Sequence, residues 1–174
     1  MRRCLIALLL VGCGHRVTPP RAVGVDGSPL HVAVFTGATP EGWAVAPTQS
    51  AFDYRSYTAD VPTGFVFRPR SDRPELREWF RLQVTGTFTV TSPGSHLFYV
   101  TSDDGARVWI DGQPVVDNGP ALHALQSVVG RVDLQAGPHT IAIDYLQGPE
   151  LMELSLRCVR PDGTGGTFDT RLGW

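Results

Sequence analysis

From Glu78 to Arg160 apolar and polar positions alternate in short runs separated by turn residues. Between Trp79 and Val90 the apolar positions are Phe80, Leu82 and Val84, then, past Gly86, Phe88 and Val90. Ser92-Pro93-Gly94 breaks the run, and His96, Phe98 and Val100 then share one face with Leu97 and Tyr99 on the other. Ala106, Val108 and Ile110 follow, then Val115-Val116, Val128 to Leu134, His139 to Tyr145 and Met152 to Val159. The turns between them are Asp111-Gly112, Asp117-Asn118-Gly119-Pro120, Ala136-Gly137-Pro138 and Gly148-Pro149. Period two places alternate side chains on opposite faces of a strand, so each run predicts a strand with one buried face. Many short strands at close spacing predict an all-β antiparallel β-sandwich or barrel.

Upstream the signal is weaker. Leu30 to Phe35 alternates and predicts a first strand, and Trp43 to Ala46 a short second one. Pro47 to Arg77 scatters Phe52, Tyr54, Tyr57, Phe65 and Phe67 among Pro, Asp and Arg, which predicts an irregular excursion with two short strands. Ala121 to Gln126 admits one helical turn. No segment of the mature chain has the 3.6-residue period of an amphipathic helix.

With 174 residues the chain has room for one ordinary domain and a short appendage. Its formal charge of -2 offers no electrostatic footprint for a nucleic-acid backbone. All 15 basic residues are Arg. The lack of Lys excludes a P-loop lysine, a Schiff-base lysine and a Ser-Lys dyad.

The amino-terminal residues read as a targeting segment. Arg2 and Arg3 precede an uncharged run from Cys4 to Gly12, the layout of a secretory signal, and too short for a membrane-spanning helix. The run ends Leu10-Val11-Gly12-Cys13, which resembles the bacterial lipobox. That resemblance implies cleavage before Cys13 and lipidation of its thiol, with a membrane anchor as the result. The chain then divides into a signal peptide at 1–12, a Pro- and Gly-rich tether at 13–29 and a single domain at 30–174. Gly14 carries no Asp-type retention signal, so the expected location is the cell envelope, on the outer membrane. Cys158 is left alone in the domain, and its spacing from Leu154 and Leu156 points it into the core.

Candidate chemistry concentrates in Thr101 to Gly112, where Asp103-Asp104-Gly105 stands at a loop tip between two strands. Asp111-Gly112 is a hairpin signal at the next turn. The ordered string from Gly94 through His96, Phe98, Val100 and Ser102-Asp103-Asp104-Gly105 to Trp109, Asp111-Gly112, Val115-Val116-Asp117, Val132, Leu134, Ala136-Gly137, His139, Ile141 and Tyr145 resembles the protective-antigen-type (PA-fourteen) domain. The similarity covers roughly 79–160. Glu78-Trp79-Phe80 and the segment from Asp117 to His123 also resemble its fibro-slime variant.

That resemblance implies an antiparallel β-sandwich used as a binding or spacer module. In sugar-binding adhesin members two consecutive Asp, joined by a cis peptide, coordinate calcium, and the ion holds sugar hydroxyls; Asp103 and Asp104 match those ligands. Calcium takes six to eight oxygens, and sugar diols fill open positions. Adhesin members place an Asn in a second loop, where this chain reads Tyr145-Leu146-Gln147-Gly148, which makes Gln147 the candidate third donor. The other reading of the pair is a turn whose carboxylates bond loop amides.

His31, His96, His123 and His139 lack a metal-binding spacing, and no Gly-x-Ser-x-Gly elbow occurs. Adjacent Asp in one turn cannot flank a glycosidic bond from two sides. Trp109 and Asp111 are further candidates for ligand contact. The expected function is a non-enzymatic, membrane-anchored lipoprotein that binds carbohydrate or a cell-surface polymer through calcium. The alternative is a structural or protein-interaction module in an envelope assembly, with the Asp pair only a turn.

Overall fold

The computed structural model describes residues 30–36, 38–40, 66–67, 77–119, 121–168 and 173–174. These form two packed antiparallel sheets. The first has the order β1-β3-β8-β5-β6, built from β1 (Leu30–Thr36), β3 (Phe80–Val90), β8 (Gly137–Gln147), β5 (Ala106–Ile110) and β6 (Gln113–Asn118). The second has the order β10-β9-β4-β7, from β10 (Gly165–Thr167), β9 (Glu153–Val159), β4 (Gly94–Asp103) and β7 (Gln126–Leu134), with β2 (Val66–Phe67) also paired to β9. The antiparallel β-sandwich expected from the alternation is the architecture observed.

The alternating positions fill the space between the sheets. Phe80, Leu82, Val84, Phe88, Val90, Val108, Ile110, Ile141, Ile143 and Tyr145 from the first sheet meet Phe98, Val100, Leu134, Leu154, Leu156 and Cys158 from the second. Each such side chain removed from water contributes about 1.5–3 kcal/mol before entropy is counted. Cys158 is a buried free thiol, and burial pushes its pKa up to about 12. A thiolate is therefore disfavoured there, and the residue acts as a small apolar plug.

Two close contacts fix the outline. The edge strands β6 and β7 meet at Gly130, where an added Cβ would fall 2.0 Å from the Val115 carbonyl oxygen. Only hydrogen fits there. At the far end of β3, Trp174 stacks on Phe168 at 5.5 Å, its amide donates to the Thr89 carbonyl at 2.9 Å, and the Arg160 guanidinium lies 4.5 Å over its ring. The segment after Asp162, without a clear pattern in sequence, thus adds an edge strand and a core aromatic.

The expected helical turn at Ala121 to Gln126 is absent, because Gln126 opens β7 and residues 121–125 form an irregular loop. The physical reason is that the amides of His123 and Leu125 bond the carboxylates of Asp104 and Asp103 instead of a preceding carbonyl. Of the 47–77 excursion, β2 is described, whereas the strand expected at Trp43 to Ala46 lies outside the described residues. So do the signal segment, Cys13 and the tether.

Candidate functional site

Asp103 is the last residue of β4, in the second sheet, and Ala106 is the first of β5, in the first sheet, so Asp104 and Gly105 carry the chain from one sheet to the other. The Asp103-Asp104 peptide is cis. Two loops close over this crossing, one between β6 and β7 through residues 119 and 121–125, the other between β8 and β9 through 148–152. Asp104 Oδ1 accepts the His123 amide at 3.0 Å from the first loop, and Oδ2 accepts the Gly148 amide at 2.7 Å from the second. Gly105 itself donates to the Ala121 carbonyl at 3.3 Å and accepts from the Leu146 amide at 2.9 Å.

Beneath the crossing the core turns polar. The Tyr145 hydroxyl lies within hydrogen-bond reach of the Asp103 carbonyl and of Gln147 Oε1. Gln147 Nε2 donates to the carbonyls of Gly148 at 3.0 Å and Leu151 at 2.7 Å. Asn118 Nδ2 spans the sandwich to Ser102 Oγ at 2.7 Å and to the Gln126 carbonyl at 3.3 Å. The buried Asn118 Oδ1 has no hydrogen-bond partner among the described residues. Sequence reasoning missed Asn118, Ser102, His123 and Gly148, since each gains its role only through contacts across the fold.

Asp103 and Asp104 are 7% and 5% exposed. Burial, then the charge on Asp104 with a contribution from Glu150, holds the Asp103 carboxyl above its usual range, against the opposing Leu125 amide and His123. Two carboxylates in one buried turn repel, and a hard cation relieves that repulsion. Asp103 and Asp104 fit calcium in donor type. Among the described residues no cluster of three or more His, Cys, Asp or Glu is assembled, so any further oxygens come from the main chain, neutral side chains, water or the ligand. Gln147 lies in the polar group beneath the crossing, with its Oε1 facing the Tyr145 hydroxyl and its amide committed to the 148–151 loop.

Trp109 and Asp111 stand elsewhere, which corrects the expectation that they contact the same ligand. Trp109 is 3% exposed and alternates with the core residues Val108 and Ile110, so it offers no open ring face. Asp111 follows the far end of β5, a strand about 17 Å long that begins two residues after the pair. There its carboxylate accepts the Thr140 amide at 2.8 Å and meets His139 Nδ1 at 2.6 Å. It holds a hairpin turn in which Asp111 and Gly112 have φ of 49° and 75°, the left-handed pair that such a turn requires.

The model of the PA14 domain family matches residues 70–169. This chain belongs to the PA14 domain family. Among solved structures, an anti-sigma factor domain-containing protein from Clostridium clariflavum superposes with a TM-score of 0.60 at 20% identity, covering 87% of this chain and 50% of that one. Another anti-sigma factor domain-containing protein gives a TM-score of 0.51 at 19% identity over 56% of this chain and 34% of its own. The PA14 sugar-binding domain from an RTX adhesin is 25% identical over 52% of each chain, with a TM-score of 0.44. At these identities the first two establish a shared fold. The chain spans between 34% and 52% of the length of these solved chains. No curated protein sequence matches it.

Proposed function

We propose that this PA14 domain is a non-catalytic carbohydrate-binding module that takes a sugar or cell-envelope polymer through a calcium ion held by Asp103 and Asp104. The observation that carries this reading is the buried carboxylate pair at the crossing between the sheets, with Asp104 clamped by amides from two loops. A turn needs no such burial, because exposed Asp side chains bond their own loop in water. When bound, calcium supplies positions that vicinal hydroxyls can occupy. The chain's own contribution is rigidity: Asp104 is fixed through both oxygens, and Tyr145 and Gln147 brace the loop that carries Gly148.

Lipidation of Cys13 would place the module at the outer membrane facing envelope or surface polymers, a reading supported by the Leu10-Val11-Gly12-Cys13 string. A mass measurement of membrane-extracted protein tests it, and a species without the acyl increment on Cys13 refutes it.

Calorimetric titration of the purified protein with calcium, followed by a glycan array with and without chelator, tests the site. Saturable heat and chelator-sensitive glycan binding, both lost in Asp103→Asn, are expected. No heat and no chelator-sensitive glycan would overturn the proposal.

A further inference from the structure

Among the described residues the exposed large hydrophobics are Leu122, Leu125, Leu151 and Val129, at 39%, 55%, 70% and 50% exposure. Isolated exposed apolar residues are ordinary on any surface. Three of these four, however, lie in the two loops that clamp the carboxylate pair. The main chain of Leu125 bonds the Asp103 carboxylate, and the Leu151 carbonyl accepts the side chain of Gln147 at 2.7 Å. The Leu122 side chain reaches across to the other loop: a Cβ placed on Gly148 would meet Leu122 Cδ2 at 2.5 Å and Asp104 Oδ2 at 2.9 Å. The rim comes from both loops that clamp the pair, and Val129 lies apart on β7.

We propose that the ligand held at Asp103 and Asp104 is a sugar bearing a methyl or acyl group beside its free hydroxyls, and that Leu122, Leu125 and Leu151 receive that group. This rests on the carbohydrate reading above. The chemistry of the rim selects the occupant. A hydroxyl pressed onto leucine loses its water without gaining a partner, which is unfavourable. A methyl group in the same place gains by leaving water. Among the described residues none of the exposed large hydrophobics is aromatic, so the rim they form offers aliphatic contact rather than stacking on a ring face. The carboxylates, in turn, require that the same ligand present oxygens to a cation. Only an amphiphilic sugar meets both demands within one small site.

The test compares matched pairs by calorimetry in calcium: a 6-deoxy sugar against the 6-hydroxy sugar of the same configuration, and an O-acetylated oligosaccharide against its deacetylated form. The wild-type protein is set beside Leu122→Ser/Leu125→Ser/Leu151→Ser, whose fold and calcium affinity are checked by thermal unfolding and calcium titration, with Leu125→Ser/Leu151→Ser, the two more exposed positions, as the second variant. The substituted member of a pair is expected to bind about fourfold tighter or more, the gain from burying one carbon, and the triple variant to equalise the two. Equal affinity in the wild type overturns the rim assignment and leaves the carbohydrate reading standing. A preference that survives in the triple variant also overturns it. If neither member binds in the presence of calcium, the carbohydrate reading falls and this inference with it. Sedimentation supplies the last outcome: self-association of the wild type that the triple variant loses, with no sugar preference, would assign the leucines to a second copy of the chain.

Discussion

The Gly148 amide donates to Asp104 Oδ2 at 2.7 Å, and through that bond the loop after β8 is tied to the turn after β4, 44 residues earlier. A Cβ on Gly148 would press on Leu122 Cδ2, which can turn toward solvent, and lie 2.9 Å from the Asp104 oxygen that its own amide holds, which can move only by giving up that bond. Gly148→Ala is expected to lower calcium affinity at least tenfold by displacing Asp104, and to cost about 1–3 kcal/mol of stability from the disturbed buried hydrogen bond and overpacking. Calcium calorimetry and urea unfolding read the two effects separately.

The raised Asp103 carboxyl gives the metal-free domain a pH signature. Its folded pKa lies above the unfolded value of 3.8, so the folded state binds the proton more tightly. Stability therefore falls as pH rises from the unfolded value through the folded one, and the penalty persists above it. Thermal unfolding in chelator, scanned upward from about pH 4, should show this decline, and Asp103→Asn should flatten it. Saturating calcium stabilises the charged form and should reverse the slope. A wild-type profile in chelator that matches the Asn variant would count against the burial of this carboxyl.

His139 and Asp111 shift in opposite directions. Burial pushes the His139 imidazole down, but bonds to Asp111 and the Gln135 carbonyl outweigh it and raise its pKa above 6.5. Burial likewise pushes Asp111 up, and His139 and Thr140 outweigh it to bring the carboxyl below 3.8. The contribution of Asp111 is present above 3.8 and lost as pH falls through its folded pKa; that of His139 is present below 6.5 and lost as pH rises through its folded pKa. The Asp111 side chain is 46% exposed, so the effect is modest. His139→Gln should remove the alkaline decline in melting temperature while leaving calcium affinity unchanged, since the pair occupies the opposite end of β5.

Gly130 tests the seam between the sheets. Its missing side chain leaves space for the Val115 carbonyl, so Gly130→Ala must separate β6 from β7. A loss of about 1–3 kcal/mol in urea unfolding is expected. Gly112→Ala, whose Cβ would meet no atom within 4 Å, gives a comparison in which only the positive φ of 75° is penalised.

The strands were legible because one face of each is buried. Period two in β3, β4, β5, β8 and β9 maps directly onto the core, and the Asp111-Gly112 hairpin forms where the dipeptide stands. Asp103 and Asp104 were legible as a pair at a loop tip, and their burial was not, because it depends on the 121–125 and 148–152 segments, which carry no period. Residues 121–125 looked helix-compatible on propensity, and tertiary bonds to the carboxylates overrode it. Trp109 misled because alternation gives the face on which a ring lies but does not say whether that face is covered. Asp111 misled because closeness in sequence, across a five-residue strand, is the full length of that strand in space.

The chain passes from one sheet to the other at Asp103, Asp104 and Gly105, and Asn118 bridges the same gap to Ser102. The distance between the sheets and the disposition of the carboxylates are therefore a single mechanical variable. A ligand seated there, as proposed, would pin the two halves of the sandwich at a common point, and shear between the halves would act on the ligand's own contacts.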